Sequence, residues 1–238
     1  MGGSGPVVDW LVKMRRLPQS GMLDHLLAKG AVPMDRIREL ILRLARFYAT
    51  APVVDWAPGA YVERLTRRVD EDAVELLRPA YGLPAARIRA IVAAQRDFLA
   101  RAGERFEQRV RAGRVVEGHG DLRPEHVCLE PGPVVIDCLE FKRDFRLLDA
   151  VDELAYLALE CERLGDAALG SHILELYAGA SSDTPDAQLV SFYKSHRACL
   201  RATLAARHLR DPVVTDPQKW LASARAYLDL AENYAARL

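Results

Sequence analysis

Long uncharged apolar runs, an excess of charge and closely spaced cysteine pairs are all absent from this chain of 238 residues. The 33 basic residues balance the 33 acidic ones, so charge does not favour binding to nucleic acid or to a membrane surface. No apolar run reaches the roughly 20 residues of a membrane-spanning helix. The four cysteines form no C-x-x-C pair, which is typical of free thiols in a reducing compartment. We therefore expect a cytoplasmic protein without a nucleic-acid or membrane partner.

The first twenty residues do not read as helix. Residues 1–5, MGGSG, fit neither a signal peptide nor a transit peptide, and we expect a tag-like or disordered start. Residues 6–20 are apolar and rich in β-branched side chains as far as Pro18, which predicts a strand.

Helical periodicity dominates from residue 21 onward. After Pro33 the apolar residues follow the i, i+3, i+4, i+7 spacing of one helix face, at Ile37, Leu40, Ile41 and Leu44. A short helix capped by Ser20 is expected before it, and one long helix from Pro84 to Gly113 after it. Further helices are predicted over 60–77, 151–165, 171–180, 185–209 and beyond residue 217.

The middle of the chain has a different pattern. Residues 115–120, 126–130 and 133–139 are short β-rich pieces separated by loops, and Pro131-Gly132 is a hairpin-like turn. The predicted fold class is therefore α+β, predominantly helical, with one small β-sheet inserted near the centre. Cys128 and Cys138 fall within its predicted strands and are expected to be buried.

The inserted segment carries polar residues suited to phosphoryl transfer. That reaction needs a carboxylate to orient a hydroxyl and take its proton, and ligands that hold Mg²⁺ against the phosphates. Asp121 lies on a loop, His126 follows five positions later, and Asp137 ends the next apolar run. Asp121 could instead cap a turn, and Asp137 could be a solvent-facing carboxylate.

Three stretches together resemble the aminoglycoside phosphotransferase and choline kinase family: HGDLRPEHVCL, VVIDCLEF and DAVDELAYLALE. The resemblance is strongest to an uncharacterised bacterial branch of that family, in which VDWLVKMRRLP also occurs. It extends from Val7 to about Leu209 and implies the large, C-terminal lobe of a protein-kinase-like fold. It also implies ATP and Mg²⁺ as cofactors and a small-molecule hydroxyl as the acceptor.

The resemblance assigns roles to individual residues. Asp121 matches the catalytic carboxylate, and His119 matches the histidine that shapes the catalytic loop. Asp137 matches the aspartate that binds Mg²⁺ between the phosphates. Asp152 matches a helix aspartate that supports the loop.

His126 departs from the family, which normally has asparagine there as a second metal ligand. Because Mg²⁺ prefers oxygen ligands, an imidazole puts this second site in doubt. Three alternatives stay open: Glu125 supplies the missing oxygen, the enzyme uses one metal, or the site takes a softer ion such as Mn²⁺. A zinc site formed by His126 and cysteines is rejected, because no fourth ligand is evident.

Most of the small lobe of a kinase is missing from the sequence. Too few residues separate Gly5 from Lys13 for a Gly-rich hairpin and the strand of the ATP-binding lysine. Residues 6–20 instead match the strand that enters the hinge between the lobes, where Val12, Lys13 and Met14 would offer backbone groups to adenine. Residues 21–238 would then form the helical large lobe.

An incomplete lobe has consequences for partners and activity. The face on which the small lobe should pack would be covered by self-association or by a separate small lobe. Two functions remain open: an ATP-dependent phosphotransferase for a small molecule, or a non-catalytic binding protein derived from one. The sequence does not identify the acceptor.

Two further groups of charged side chains were interpreted as structural. Asp70, Glu71, Asp72 and Glu75 form an acidic patch that could attract a cationic acceptor, but a solvated helix face is the favoured interpretation. Arg197, Arg201 and His208 share one helix face and could line a pocket for an anionic substrate, but pairing with acidic residues such as Glu153 and Glu160 on a neighbouring helix is the favoured interpretation.

Overall fold

The computed structural model describes residues 16–211 and 213–238, and within them the chain is predominantly helical. None of the helices in these ranges combines the length and the apolar character needed to cross a bilayer. The helices are α1 Leu23–Ala28, α2 Met34–Thr50, α3 Ala60–Leu76, α4 Ala85–Arg101, α5 Gly103–Arg111, α6 Ala150–Arg163, α7 Ala167–Ser181, α8 Ala187–His208 and α9 Pro217–Ala235.

The β-structure consists of two small ladders rather than the single inserted sheet that was expected. The strands are β1 Val115–Glu117, β2 Val127–Cys128, β3 Val134–Val135 and β4 Leu147–Asp149. β1 pairs with β4 and β2 pairs with β3, both antiparallel. The β2–β3 hairpin turns through Pro131-Gly132 as predicted. The hairpin lies between β1 and β4 in the sequence but forms a separate ladder.

Helix α6 is the centre of the fold. All of its residues from Ala150 to Cys161 are buried, because α7 and α8 pack against it. The apolar stripe of α2 is buried as the spacing predicted, and this helix packs on α7. Helices α3, α4, α8 and α9 form the other half of the core.

Two predicted helix boundaries were wrong. The long helix expected from Pro84 to Gly113 breaks at Ala102, which has non-helical φ and ψ angles of −110° and 15°. The break turns Phe98 and Phe106 towards each other in the core, with ring centroids 5.9 Å apart. Ser20 is not a helix cap, because it lies in a 3₁₀ turn and α1 begins only at Leu23.

Two predictions of burial were also wrong. Cys138 is exposed, because β3 ends at Val135 and the chain leaves the hairpin before it reaches the cysteine. The acidic patch is not a uniformly solvated face, since Asp72 and Glu75 are buried. Glu75 accepts a hydrogen bond from Tyr81 and forms an ion pair with Arg78, while Asp72 faces α8.

Candidate active site

The loop that joins β1 to β2 carries Asp121, and its backbone needs glycine. Gly120 has a φ of 89°, in the left-handed region. A Cβ atom at this position would lie 3.0 Å from Cδ1 of Leu139 and 3.1 Å from the carbonyl oxygen of Phe145. The loop therefore passes directly beneath the 139–145 segment.

A buried carboxylate on α6 fixes the start of this loop. Glu153 is fully buried, and its two oxygens accept hydrogen bonds from the backbone nitrogens of His119, at 3.1 Å, and Gly120, at 2.5 Å. Tyr48 of α2 donates a third hydrogen bond to Glu153, at 2.8 Å. Gly118 allows this approach, since a Cβ there would lie 2.9 Å from Oε2 of Glu153. The sequence alone predicted only an ion pair for Glu153.

His119 links the loop to the hairpin. Its Nε2 donates to the carbonyl oxygen of Ile136 at 2.8 Å, because a carbonyl can only accept. Its Nδ1 then accepts from the backbone nitrogen of Asp121, at 3.3 Å. His119 therefore ties the backbone of Asp121 to the residue that precedes Asp137.

The carboxylate of Asp121 is oriented by two donors on the same oxygen. Oδ1 accepts from the hydroxyl of Tyr156 at 3.1 Å and from Nε of Arg123 at 3.0 Å. Burial raises the pKa of Tyr156 well above its ordinary value, so the phenol keeps the proton that it donates. This arrangement leaves Oδ2 as the oxygen that can receive a proton from a ligand.

His126 lies between the two aspartates. Its Nδ1 donates to the backbone carbonyl of Asp121 at 2.8 Å, which directs Nε2 towards Asp137. Nε2 accepts from Nη2 of Arg123 at 3.3 Å and also lies 3.3 Å from Oδ2 of Asp137, whose side chain is 76% exposed. Asp137 has a φ of 64°, an unusual conformation for a residue other than glycine. Strained conformations of this kind occur at functional sites, where the surrounding structure holds them in place.

The other proposed metal ligand, Glu125, is engaged elsewhere. Its Oε1 accepts from Nη1 of Arg123 at 3.0 Å, and its Oε2 is buried without a hydrogen-bond partner among the described residues. In the described ranges no group of three or more His, Cys, Asp or Glu side chains is arranged to hold a metal ion. Of the three predicted metal ligands, Asp137 and His126 face each other.

A buried ion pair supports the site from behind. Arg197 of α8 makes two hydrogen bonds to Asp152 of α6, at 2.7 and 2.8 Å, and its guanidinium lies 4.9 Å from the ring centroid of Tyr156. The expected pairing of Arg201 with Glu160 is present, at 3.4 Å. The expected pairing of Arg197 with Glu153 is not, because Glu153 points the other way, into the loop.

A cavity of 440 Å³ opens beside Asp121, within the size range of small-molecule sites. Asp121 and Gly120 form one end, and α3, α8 and the 139–145 segment form the walls. The lining includes Arg68, Asp72, Phe145, Tyr156, His196, Arg197, Leu200, Arg201, Thr203, Leu204 and Arg207.

Asp72, in the wall of this cavity, should make stability depend on pH. Burial raises its pKa from 3.8 to about 7, against the lowering effect of Thr203 and Arg207. Its stabilising contribution is therefore complete below the unfolded pKa and is lost as pH rises through 7. We expect Asp72→Asn to be more stable than the unmodified chain at pH 8, with the difference growing by about 2–3 kcal/mol between pH 5 and pH 8.

Urea unfolding at both pH values measures this difference. Asp70→Asn, an exposed position on the same helix, is the matched control and should show no such trend. A difference that is equal at pH 5 and pH 8 would contradict the shifted pKa of Asp72.

The predicted adenine contacts and most of the predicted hinge strand lie outside the residues that the structure describes. Val12, Lys13 and Met14, the expected adenine contacts, lie outside the described residues, as do residues 1–5 and most of the predicted hinge strand over 6–20. The last two residues of that predicted strand, Gln19 and Ser20, instead form a 3₁₀ turn with Gly21.

Sequence comparison finds relatives that are longer than this chain. No family model matches it. Uncharacterised proteins of Mycobacterium bovis and Mycobacterium tuberculosis are 34% identical over 205 residues, which is 84% of this chain and 41% of each relative. The chain thus spans about two-fifths of the length of the curated relatives that it matches.

Structural comparison finds a kinase. A structure of glucosamine kinase in crystal form B matches with a TM-score of 0.58 and 17% identity, over 90% of this chain and 57% of that one. A second structure, of glucosamine kinase in complex with glucosamine, ADP and inorganic phosphate, matches with a TM-score of 0.57 and 17% identity, over 88% and 55%. The chain therefore has a kinase-like fold. Its resemblance to the aminoglycoside phosphotransferase family stays a prediction.

Proposed function

We propose that this chain is the large lobe of an ATP-dependent phosphotransferase that acts on a hydroxyl group of a small molecule, in the manner of the aminoglycoside phosphotransferase family. One observation carries the proposal: Asp121 faces a cavity of small-molecule size and is joined through the ring of His126 to Asp137. The glucosamine kinase fold supports it, since one of those structures contains a sugar and ADP.

Asp121 would act on the acceptor. Because Tyr156 and Arg123 both donate to Oδ1, the second oxygen is available to accept the proton of an incoming hydroxyl. The hydroxyl oxygen would then bond to the γ-phosphorus of ATP, the bond from that phosphorus to the bridging oxygen would break, and ADP would leave.

Asp137 and His126 fit one divalent cation. Oδ2 of Asp137 and Nε2 of His126 lie 3.3 Å apart, and these two residues would hold the cation. When bound, Mg²⁺ would neutralise the phosphate charge, while its other ligands would be phosphates and water. An imidazole ligand would also suit the softer Mn²⁺. Since Glu125 is paired with Arg123, a single metal is the alternative that we adopt.

The rest of the nucleotide site would come from other parts of the molecule or from a second chain. We assign residues 21–238 to the large lobe and residues 6–20 to the hinge, with Val12, Lys13 and Met14 beside the adenine. The mycobacterial relatives and the glucosamine kinase are both longer than this chain, which supports a segment or partner that supplies the small lobe. Self-association would be a second way to cover the interlobe face.

Calorimetric titration with ATP and Mg²⁺ tests the proposal. We expect metal-dependent binding that Asp137→Ala weakens at least about tenfold, since a cation loses one of its two protein ligands. Asp97→Ala is the matched control, because that aspartate is similarly exposed, at 74%, and lies on α4 away from the site. Equal binding by Asp137→Ala would refute the metal site.

The alternative is a non-catalytic binding protein. It is favoured by His126 in the position of asparagine. The same titration separates the two functions. If the unmodified chain, alone and as part of the longer protein, binds no ATP at millimolar concentration, the phosphotransferase proposal is wrong and the binding protein stands.

A further inference from the structure

Three buried polar residues form one side of the cavity, and we call them the inner wall: Asp72, His196 and Thr203. Asp72 projects from α3, while His196 and Thr203 lie two turns apart on one face of α8. Their exposures are 6%, 3% and 1%, and all three line the cavity that reaches Asp121. The inner wall is therefore a buried polar surface inside the cavity.

The inner wall has hydrogen-bonding capacity that the protein does not use. Nδ1 of His196 is buried and has no hydrogen-bond partner among the described residues. Oγ1 of Thr203 is close enough to Asp72 to lower its pKa, but it is not in hydrogen-bonding geometry with any described residue. Buried polar atoms in proteins are normally paired, so these atoms indicate a ligand or water within the cavity.

At neutral pH the inner wall carries no positive charge and a partial negative one. Burial lowers the pKa of His196 to about 3, so its imidazole is uncharged. Burial raises the pKa of Asp72 to about 7, so its carboxyl is partly protonated. Together with the hydroxyl of Thr203, these groups can both donate and accept hydrogen bonds. Hydroxyl groups, which also do both, match such a surface.

The surroundings of the inner wall disfavour a cation. Arg68 and Arg207 line the same cavity, and the positive charge of each lowers the pKa of Asp72, while the negative charge of Glu71 raises it. Arg197 and Arg201 also line the cavity, but each is paired with a carboxylate of α6. An ammonium group placed against the inner wall would therefore face the guanidinium groups of Arg68 and Arg207.

Part of the cavity lining is apolar. Leu200 and Leu204 lie on the same face of α8 as His196 and Thr203, and Phe145 belongs to the 139–145 segment. A leucine and aromatic surface suits the C–H face of a sugar or cyclitol ring, because this face is apolar while the ring edge carries the hydroxyls.

Building on the proposed phosphotransferase function, we propose that the inner wall selects an uncharged sugar or cyclic polyol as the acceptor, in preference to an amino sugar. One hydroxyl of the ring would face Asp121, and others would pair with Asp72, His196 and Thr203. The specificity would thus differ from that expected from the glucosamine bound in the structural neighbour.

Titration of the whole chain with glucose, myo-inositol and glucosamine, followed by protein NMR and without nucleotide, tests this inference. At least one neutral probe should bind about tenfold more tightly than glucosamine. Asp72→Ala and Thr203→Val should each weaken that binding about tenfold or more, because each removes a hydrogen-bonding group. Asp72→Asn should stay within about threefold, since an amide also donates and accepts.

Controls separate a specific effect from loss of folding. Thermal unfolding of each variant shows whether it is folded, and Asp72→Asn, which keeps the shape of the side chain, remains informative if Asp72→Ala is not. Asp70→Asn, on the exposed side of α3, should bind as the unmodified chain does.

Two results would overturn the inference. The first is tighter binding of glucosamine that Asp72→Asn abolishes, because it would show that a carboxylate recognises an ammonium. The second is no binding of any probe. If ATP and Mg²⁺ still bind in that case, the inner wall is not an acceptor site while the proposed function stands; if they do not, both fail.

Discussion

Replacing Asp121 with asparagine is expected to lower the rate of phosphotransfer by about two to four orders of magnitude, the usual contribution of a positioned general base. The amide keeps the size of the side chain and can still receive the hydrogen bonds of Tyr156 and Arg123 on its oxygen. It cannot take the proton of the acceptor hydroxyl. The loss should therefore appear in kcat, with little change in nucleotide binding or in the free energy of unfolding.

A coupled assay of ADP release with a panel of sugars and polyols measures this effect, on the chain together with whatever segment or partner completes it. Asp70→Asn is the matched control, because it makes the same chemical change at an exposed position. Full activity of Asp121→Asn would exclude the carboxylate as the base. If the free energy of unfolding falls enough to account for the loss of kcat, Asp121 has a structural role instead.

Replacing Arg197 with alanine should produce the largest loss of stability, about 3–5 kcal/mol in the free energy of unfolding. The guanidinium and Asp152 are both almost fully buried and share two hydrogen bonds of 2.7 and 2.8 Å. Without the arginine, the carboxylate of Asp152 stays buried and unpaired, which is more costly than losing the pair as a whole. Urea unfolding at pH 7 measures the change.

Two companion variants make this prediction specific. Arg96→Ala removes an exposed arginine whose partner is Asp70, at 2.6 Å, and should cost less than about 1 kcal/mol. The double replacement Asp152→Leu with Arg197→Met removes both charges and should recover much of the stability that Arg197→Ala loses. A double variant less stable than Arg197→Ala would show that packing on Tyr156, rather than charge, dominates.

The predicted features that the structure confirms depend on local patterns. The stripe of α2 follows from helical spacing, and the β2–β3 hairpin follows from Pro131-Gly132 between two β-branched runs. The loop with Asp121 was predicted from the close spacing of glycine, aspartate and histidine, a pattern that can be recognised without knowledge of the fold. These signals span fewer than about a dozen residues, which is the range that periodicity and turn chemistry cover.

The support of the site depends on contacts that no local pattern contains. Tyr48 meets Glu153 across 105 positions in the sequence, and Tyr156 meets Asp121 across 35. Asp72 looked like part of a solvated patch because its neighbours Asp70 and Glu71 are acidic, and only the packing of α3 on α8 buries it. One signal was available: acidic residues at 152, 153 and 160 in an otherwise apolar helix indicate buried pairing.

The position of Glu153 bears on how such a protein can change over evolution. The carboxylate holds the backbone of the loop with Asp121 from α6, whereas Asp72, Thr203 and Phe145 belong to α3, α8 and the 139–145 segment. The groups that would perform the reaction and those that would recognise the acceptor thus lie on separate elements. A lineage could therefore exchange one acceptor for another by substitutions on the cavity walls, and it would keep the same reactive geometry throughout.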